Sequence, residues 1–112
     1  MAAKFEIKTG TNGKFHFNLK SGNGQVILSS QMYATRKSAE NGINSVKTNA
    51  NNEDRFERRE AKNGKPYFII KAGNGQEIGR SQMYSSASGM ENGIKSVGTN
   101  APDAVIVDTS AA

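Results

Sequence analysis

Gly22-Asn23-Gly24-Gln25, Ser30-Gln31-Met32-Tyr33, Glu40-Asn41-Gly42-Ile43-Asn44-Ser45-Val46 and Thr48-Asn49-Ala50 form a stretch that occurs twice. Its second copy reads Gly73-Asn74-Gly75-Gln76, Ser81-Gln82-Met83-Tyr84, Glu91-Asn92-Gly93-Ile94-Lys95-Ser96-Val97 and Thr99-Asn100-Ala101. The offset is about 51 residues throughout, without a gap, so one supersecondary unit has been duplicated. A unit of about 50 residues buries little surface alone. Repeat 1, about 4–53, and repeat 2, about 54–108, are therefore expected to share one core within one compact domain, 1–112. Duplication supplies within one chain what a single-repeat dimer gets from two, so a monomer with internal pseudo-twofold symmetry is expected.

Working outward from the repeated stretch, Lys4-Phe5-Glu6-Ile7-Lys8 alternates polar and apolar residues, the pattern of a half-buried strand. Asn12-Gly13 predicts a hairpin with a type I′ turn and positive φ at both residues. Phe15 to Lys20 alternates again, Ser21-Gly22-Asn23-Gly24 turns, and Gln25 to Ser29 is a third strand, giving an antiparallel meander. Thr35 is a plausible N-cap. Ala39, Gly42, Ile43 and Val46 then fall at helical spacing on one face, and Asn49 is expected to end the helix in a left-handed conformation. Glycine at 42 costs about 1 kcal/mol of helix propensity, and the choice is repeated at Gly93, which points to close packing of helix on sheet.

Repeat 2 follows the same plan. Asp54–Glu60, Pro66–Lys71 and Glu77–Arg80 read as strands, with turns at Asn63-Gly64 and Gly73-Asn74-Gly75. Ser86 caps a helix carrying Met90, Gly93, Ile94 and Val97. Val105-Ile106-Val107-Asp108 is a final strand, followed by a frayed end from Thr109 to Ala112. Phe17, Leu19 and Ile27 have apolar counterparts in Phe68, Ile70 and Ile78, which assigns them to the helix-covered face. His16, Asn18, Val26 and Leu28 align with Tyr67, Ile69, Glu77 and Gly79 and are assigned to the open face. Because Val105–Asp108 aligns with Asp54–Glu57, the strand Asp54–Glu60 ends one repeat and begins the next. Pseudo-symmetry then sends the C-terminal strand back to the strand holding Phe5 and Ile7. The predicted class is α+β: two tandem β-β-β-α-β repeats sharing one mainly antiparallel sheet, two helices on one face, and C-terminal strands exchanged between repeats.

The chain has no cysteine, which excludes disulfides and thiolate chemistry. Met1-Ala2-Ala3-Lys4-Phe5 has no apolar run for a signal peptide, and no stretch approaches the roughly 20 apolar residues of a membrane helix. The expectation is a cytoplasmic protein without a membrane partner. Net charge is +5, with seven Lys/Arg against three acids over 1–53 and eight against seven over 54–112. No long basic run accompanies the excess.

The tandem run Asn-Gly-Gln, Ser-x-x-Tyr, Asn-Gly-Ile-x-Ser-Val and Asn-Ala resembles the YegP-like family of small bacterial and archaeal proteins. The resemblance covers Phe5 to Asp108, with both copies in register. It implies two β-β-β-α-β units in a single sheet with exchanged C-terminal strands, and single-repeat relatives that dimerise into the same shape. The family pattern often has an acid after the serine, where this chain has Gln31 and Gln82; that departure removes a charge from the loop. The family supplies no catalytic residues to transfer.

Ser30, Gln31 and Tyr33, with Ser81, Gln82 and Tyr84, are the most suggestive polar set, and their duplication suggests two equivalent binding sites. The competing reading has them bond the sheet-to-helix turn and cover the core edge. Asn41 and Asn92 could bond a nearby loop carbonyl. His16, the single histidine, has no evident nucleophile and acid beside it. Gly22-Asn23-Gly24 joins two strands, not a strand and a helix, so it is no dinucleotide fingerprint. No cofactor or metal site is read from the residue spacing. The foremost functional reading is a non-enzymatic interaction module. Its protein partner would use the open sheet face, with Val26, Leu28, Tyr67 and Ile69 as anchors. The alternative is weak nucleic-acid binding through Lys14, Lys20, Arg36, Lys37 and Lys47. An enzyme ranks third, because no acid–base pair is visible.

Overall fold

The computed structural model describes residues 3–10 and 12–108. The expected frayed end, Thr109–Ala112, lies outside them. The elements are β1 (Lys4–Thr9), β2 (Phe15–Lys20), β3 (Val26–Ser29), α1 (Arg36–Asn49), β4 (Phe56–Glu60), β5 (Pro66–Lys71), β6 (Glu77–Arg80), α2 (Ala87–Asn100) and β7 (Val105–Asp108). They form one seven-stranded sheet in the order β4-β5-β6-β3-β2-β1-β7. Every neighbouring pair is antiparallel except β1 with β7, which is parallel. The exchange read from the sequence is present: β7, from the end of repeat 2, pairs Lys4 with Val105 and Phe5 with Ile106.

The two meanders meet at β3 and β6 through one residue pair, Ser29 with Arg80. These positions are equivalent in the two repeats, so the pseudo-twofold axis passes through that pair. A single rung is a weak joint, and the helices reinforce it. α1 lies over β1 and β2 and reaches β5 and β6; α2 lies over β5 and β3. Each helix therefore ties both meanders into one core.

The helix faces are those the spacing predicts: Ala39, Gly42, Ile43 and Val46 on α1, and Met90, Gly93, Ile94 and Val97 on α2. Thr35 and Ser86 cap them, accepting from the N–H groups of Ser38 and Gly89 at 3.1 Å. Glycine at 42 and 93 makes room for a tyrosine ring. A Cβ at Gly42 would stand 2.5 Å from the Tyr33 Oη and 3.0 Å from a Phe17 ring carbon.

Four sequence expectations need correction. The Asn-Gly turns are not type I′, since only the glycines (Gly13, Gly24, Gly64, Gly75) have positive φ. Each glycine N–H instead bonds the carbonyl three residues back, as Gly24 does to Ser21 at 2.9 Å. The asparagine side chain accepts from the N–H two residues on, as Asn23 does from Gln25 at 3.1 Å. Asn49 does not end α1 in a left-handed conformation; its amide folds back onto the Ser45 carbonyl at 2.8 Å. Asp54 and Arg55 are not strand but part of a one-turn 3₁₀ helix, Glu53–Arg55, capped by Asn52. Finally, a bulge between Leu19 and Lys20 places Leu28 opposite Leu19, and its equivalent places Gly79 opposite Ile70. Leu28 is thus fully buried on the helix side, not an open-face anchor.

The sheet's two edges differ. β4 reads Phe56-Glu57-Arg58-Arg59-Glu60, a charged edge that resists strand addition. Arg58 there ties to Glu53 and to Glu91 of α2, which holds the guanidinium protonated and the Glu91 carboxyl below its usual range. β7 is apolar, with Val105 55% and Ile106 44% exposed.

Candidate functional site

The Ser-Gln-Met-Tyr segments leave β3 and β6 next to the pseudo-twofold axis. Ser30 Oγ accepts from the Phe17 N–H at 2.9 Å and donates to the Gln31 carbonyl at 2.7 Å. Ser81 repeats this with Phe68 at 3.0 Å and Gln82 at 2.7 Å. Both hydroxyls therefore complete the end of a strand pair. Tyr33 exchanges two main-chain bonds with Phe15, at 2.7 and 2.6 Å. Tyr84 makes only one, to the Pro66 carbonyl at 2.8 Å, because proline has no N–H to return. The two tyrosine rings turn away from the axis and stack on Phe17 and Phe68, with centroids 6.2 Å apart in each case. Burial pushes both hydroxyls above the ordinary tyrosine range.

The six expected site residues thus divide. Ser30, Gln31, Ser81 and Gln82 gather at one cleft of about 540 Å³ on the axis, while Tyr33 and Tyr84 belong to the helix side. In place of two equivalent sites there is one shared opening, completed by Ser29, Arg80, Val26 and Glu77. Gln31 bridges the repeats, its Nε2 donating to the Glu77 carbonyl at 2.7 Å. Sequence reading missed Ser29, Glu77 and Arg80 as cleft residues. The signal available was their position: they end or begin the strands that the repeat alignment places at the axis.

The sheet register sets the surrounding open face. Lys4, Glu6 and Lys8 on β1 pair with Lys20, Asn18 and His16 on β2. Glu6 is largely covered, and Lys20, Lys8 and Lys4 approach it at 3.0, 3.2 and 3.9 Å. The Lys20 ammonium, helped by Lys8, holds its carboxyl below the usual range against the opposing effect of burial. In repeat 2, Lys71 and Arg59 flank Glu57 and lower its pKa likewise. Arg80 pairs with Glu77 at 3.4 Å and lies over the Tyr67 ring, 5.5 Å from its centroid. Six cations thus face three acids, each cation already beside a carboxylate. Of the expected anchors, Val26 and Tyr67 are half-buried on this face, while Ile69 is fully buried between Glu57 and Arg80.

The expected nucleic-acid set is not assembled on one surface. Lys20 is held by Glu6 on the open face, Lys14 follows the β1–β2 turn, and Arg36, Lys37 and Lys47 lie on α1 across the sheet. Lys47 is placed over the Phe5 ring, 5.9 Å from the centroid. His16 lies beside Lys8, its Nδ1 buried without a hydrogen-bond partner among the described residues. Asn41 and Asn92 are exposed. Among the described residues, no three His, Cys, Asp or Glu side chains gather where they could hold a metal, and no helix is long and apolar enough to cross a membrane.

Comparison with known proteins matches the pattern twice. The family model described as a domain of unknown function, DUF1508, matches residues 11–57 and again 61–108. A UPF0339 protein of Mannheimia succiniciproducens is 55% identical over 104 residues, covering 93% of this chain and 92% of that one. The UPF0339 protein YegP of Escherichia coli is 46% identical over 110 residues, covering 98% of this chain and 100% of that one. The fold matches the solution NMR structure of YegP from E. coli with a TM-score of 0.94 at 45% identity, covering 100% of this chain and 97% of that one. It also matches the NMR structure of a UPF0339 protein from Shewanella oneidensis, with a TM-score of 0.92 at 48% identity, covering 98% and 93%. With two tandem matches across nearly its whole length and relatives about half identical end to end, the chain belongs to the DUF1508 family.

Proposed function

We propose that this protein is a non-catalytic interaction module whose working surface is the open face of the sheet, centred on the axial cleft. The observation behind this reading is the convergence of both Ser-Gln segments on the Ser29–Arg80 pair. Duplication thereby builds one composite surface from two copies of a motif. The serine hydroxyls are committed to main-chain bonds, which suits a scaffold better than a nucleophile. The charge pattern favours protein over nucleic acid. Phosphate binding draws on cations free to release counterions, whereas these cations already face Glu6, Glu57 and Glu77. A mixed-charge surface with half-buried Tyr67 and Val26 fits a polar protein surface with aromatic contact.

The test is capture from native lysate at low and physiological salt, comparing wild type with Arg80→Glu. A protein retained by wild type at both salts and lost with Arg80→Glu supports the reading. Capture that is abolished by nuclease or by physiological salt moves the assignment to nucleic acid.

A further inference from the structure

We infer a second, composite groove, between the β2–β3 turn and the N-terminal half of α2, that takes an uncharged polypeptide segment. It has a volume of about 320 Å³. Gln25 and Ile27 of repeat 1 form one wall, and Gln82, Tyr84 and Asn92 of repeat 2 form the other. Neither repeat alone can make it.

The argument is which residues the duplication has kept. Of the ten residues lining the groove, only Ser21 and Gly89 have different counterparts, Ala72 and Ser38. Gln25, Gln82 and Asn92 recur as Gln76, Gln31 and Asn41. Away from the groove, exposed helix positions divide: Arg36 against Ala87, Lys37 against Ser88 and Asn44 against Lys95 have diverged, while Glu40 with Glu91 and Thr48 with Thr99 are kept, one copy of each pair being bonded, Glu91 to Arg58 and Thr48 to the Asn44 carbonyl. An exposed side chain drifts after duplication unless something holds it. The fold does not hold these three, because among the described residues the side-chain amides of Gln25, Gln82 and Asn92 bond nothing in the protein. Gln31, the counterpart of Gln82, does have a partner in the Glu77 carbonyl. Asn41 and Asn92, on different helices, have none among the described residues and are still the same residue.

The chemistry of the lining names the ligand class. Among the described residues no charged side chain borders the groove, so a phosphate or carboxylate finds no counter-charge there. A carboxamide presents a donor and an acceptor side by side, the complement of a peptide group. Tyrosine, asparagine, serine and glycine together are also the mixture that binding loops use against polypeptides. A sugar would want a free aromatic face, but the Tyr84 ring has one face stacked on Phe68 and its hydroxyl end against Gly93. This surface goes beyond the axial cleft: Gln82 borders both, but the groove stands on Gln25 and Asn92 and the cleft on Ser29 and Arg80.

The test uses the full chain against a phage-displayed library of random dodecapeptides, followed by fluorescence anisotropy and amide shift mapping with selected peptides. The groove variant is Asn92→Ala with Asn41→Ala, which raises helix propensity and so preserves the fold; amide spectra verify this. The expected result is peptides poor in charged residues that shift the amides of Gln25, Gln82 and Asn92. Their binding weakens about tenfold in the groove variant and stays within about twofold in Arg80→Glu. The inference is overturned if no peptide is selected, or if selected peptides depend on Arg80 and not on Asn92; the latter leaves the axial-cleft reading standing. Binding of maltotriose or adenosine in the groove that the peptides fail to compete overturns it as well.

Discussion

Replacing Gly42 by alanine sets two effects of opposite sign against each other. Helix propensity alone favours the variant by about 1 kcal/mol. The packing opposes it: the new methyl would meet the Tyr33 Oη at 2.5 Å, its Cζ at 2.9 Å and a Phe17 ring carbon at 3.0 Å. Unstrained carbon contacts lie near 3.5–4 Å, so the ring must move by about 1 Å. Phe17 backs it at 6.2 Å, and the Tyr33 main chain is pinned to Phe15 by two bonds, so the ring has little room to yield in place. Overpacking of this kind costs about 1–3 kcal/mol, and swinging the ring out instead forfeits the stacking. The net expectation is destabilisation of up to about 2 kcal/mol, a fall in Tm of as much as roughly 10 °C for a domain of this size. Gly93→Ala should do the same, since a Cβ there crowds Tyr84 more closely still. Chemical denaturation followed by circular dichroism measures both. Tyr33→Phe in the Gly42→Ala background should recover part of the loss by removing the nearest atom. A Gly42→Ala variant more stable than wild type would refute the locked-ring account.

Ile43→Ala and Ile94→Ala should each cost about 2–5 kcal/mol, as truncations of buried side chains do; a loss below about 0.5 kcal/mol at both would contradict the helix faces. Truncation after Ala101 removes β7 and its parallel ladder with β1, and should cost about 2–4 kcal/mol. In hydrogen exchange, β2 and β5 should lose protection together, and persistence of β5 alone would argue against one shared core. Glu6 has a depressed folded-state pKa, so its stabilising contribution is present above the ordinary carboxylate range and fades as pH falls through the folded value. Glu6→Gln should therefore cost about 0.5–1 kcal/mol at neutral pH after solvent screening, with the deficit shrinking in acid denaturation curves below about pH 4. Analytical ultracentrifugation should give a mass near 12.0 kDa at micromolar concentration, and twice that value would count against a self-contained monomer.

The architecture was legible because the repeat, the two helical stripes and the alternating strands agree with one another. β2, β5 and β6 fall where alternation put them, and Thr35 and Ser86 cap as read. The turn type was misread because Asn-Gly suits both two-residue and longer loops; the five residues between Thr9 and Phe15 are what select the longer form. The faces of Leu28 and Gly79 were misread because a bulge resets the period-two count without altering composition. For the candidate site, the motif was visible but its division was not. Whether Tyr33 stands beside Gln31 or behind it depends on Gly42, nine residues further along the chain. The composite groove was less legible still, since it needs α2 of one repeat to cross onto β3 of the other.

That crossing explains why the two copies have not stayed alike. Leu28 and Gly79 are equivalent positions that meet beside the axis. A Cβ on Gly79 would lie 2.9 Å from Leu28 Cγ and 3.2 Å from Ile70 Cγ2. Two leucines would collide there and two glycines would leave a void, so the site is filled by one of each. A symmetric dimer of single repeats cannot adopt that solution, because its axis carries the same residue twice. The edges follow the same logic. Ile7 is fully buried on β1, which β7 flanks, whereas its counterpart Arg58 stands on the bare edge strand β4 and pairs with Glu91. Duplication into one chain thus freed the core and the edges to specialise, which they have done. Against that freedom, exposed residues such as Asn41 and Asn92, which remain identical although no bond from the described residues holds their side chains, are the places where binding is the most economical physical explanation.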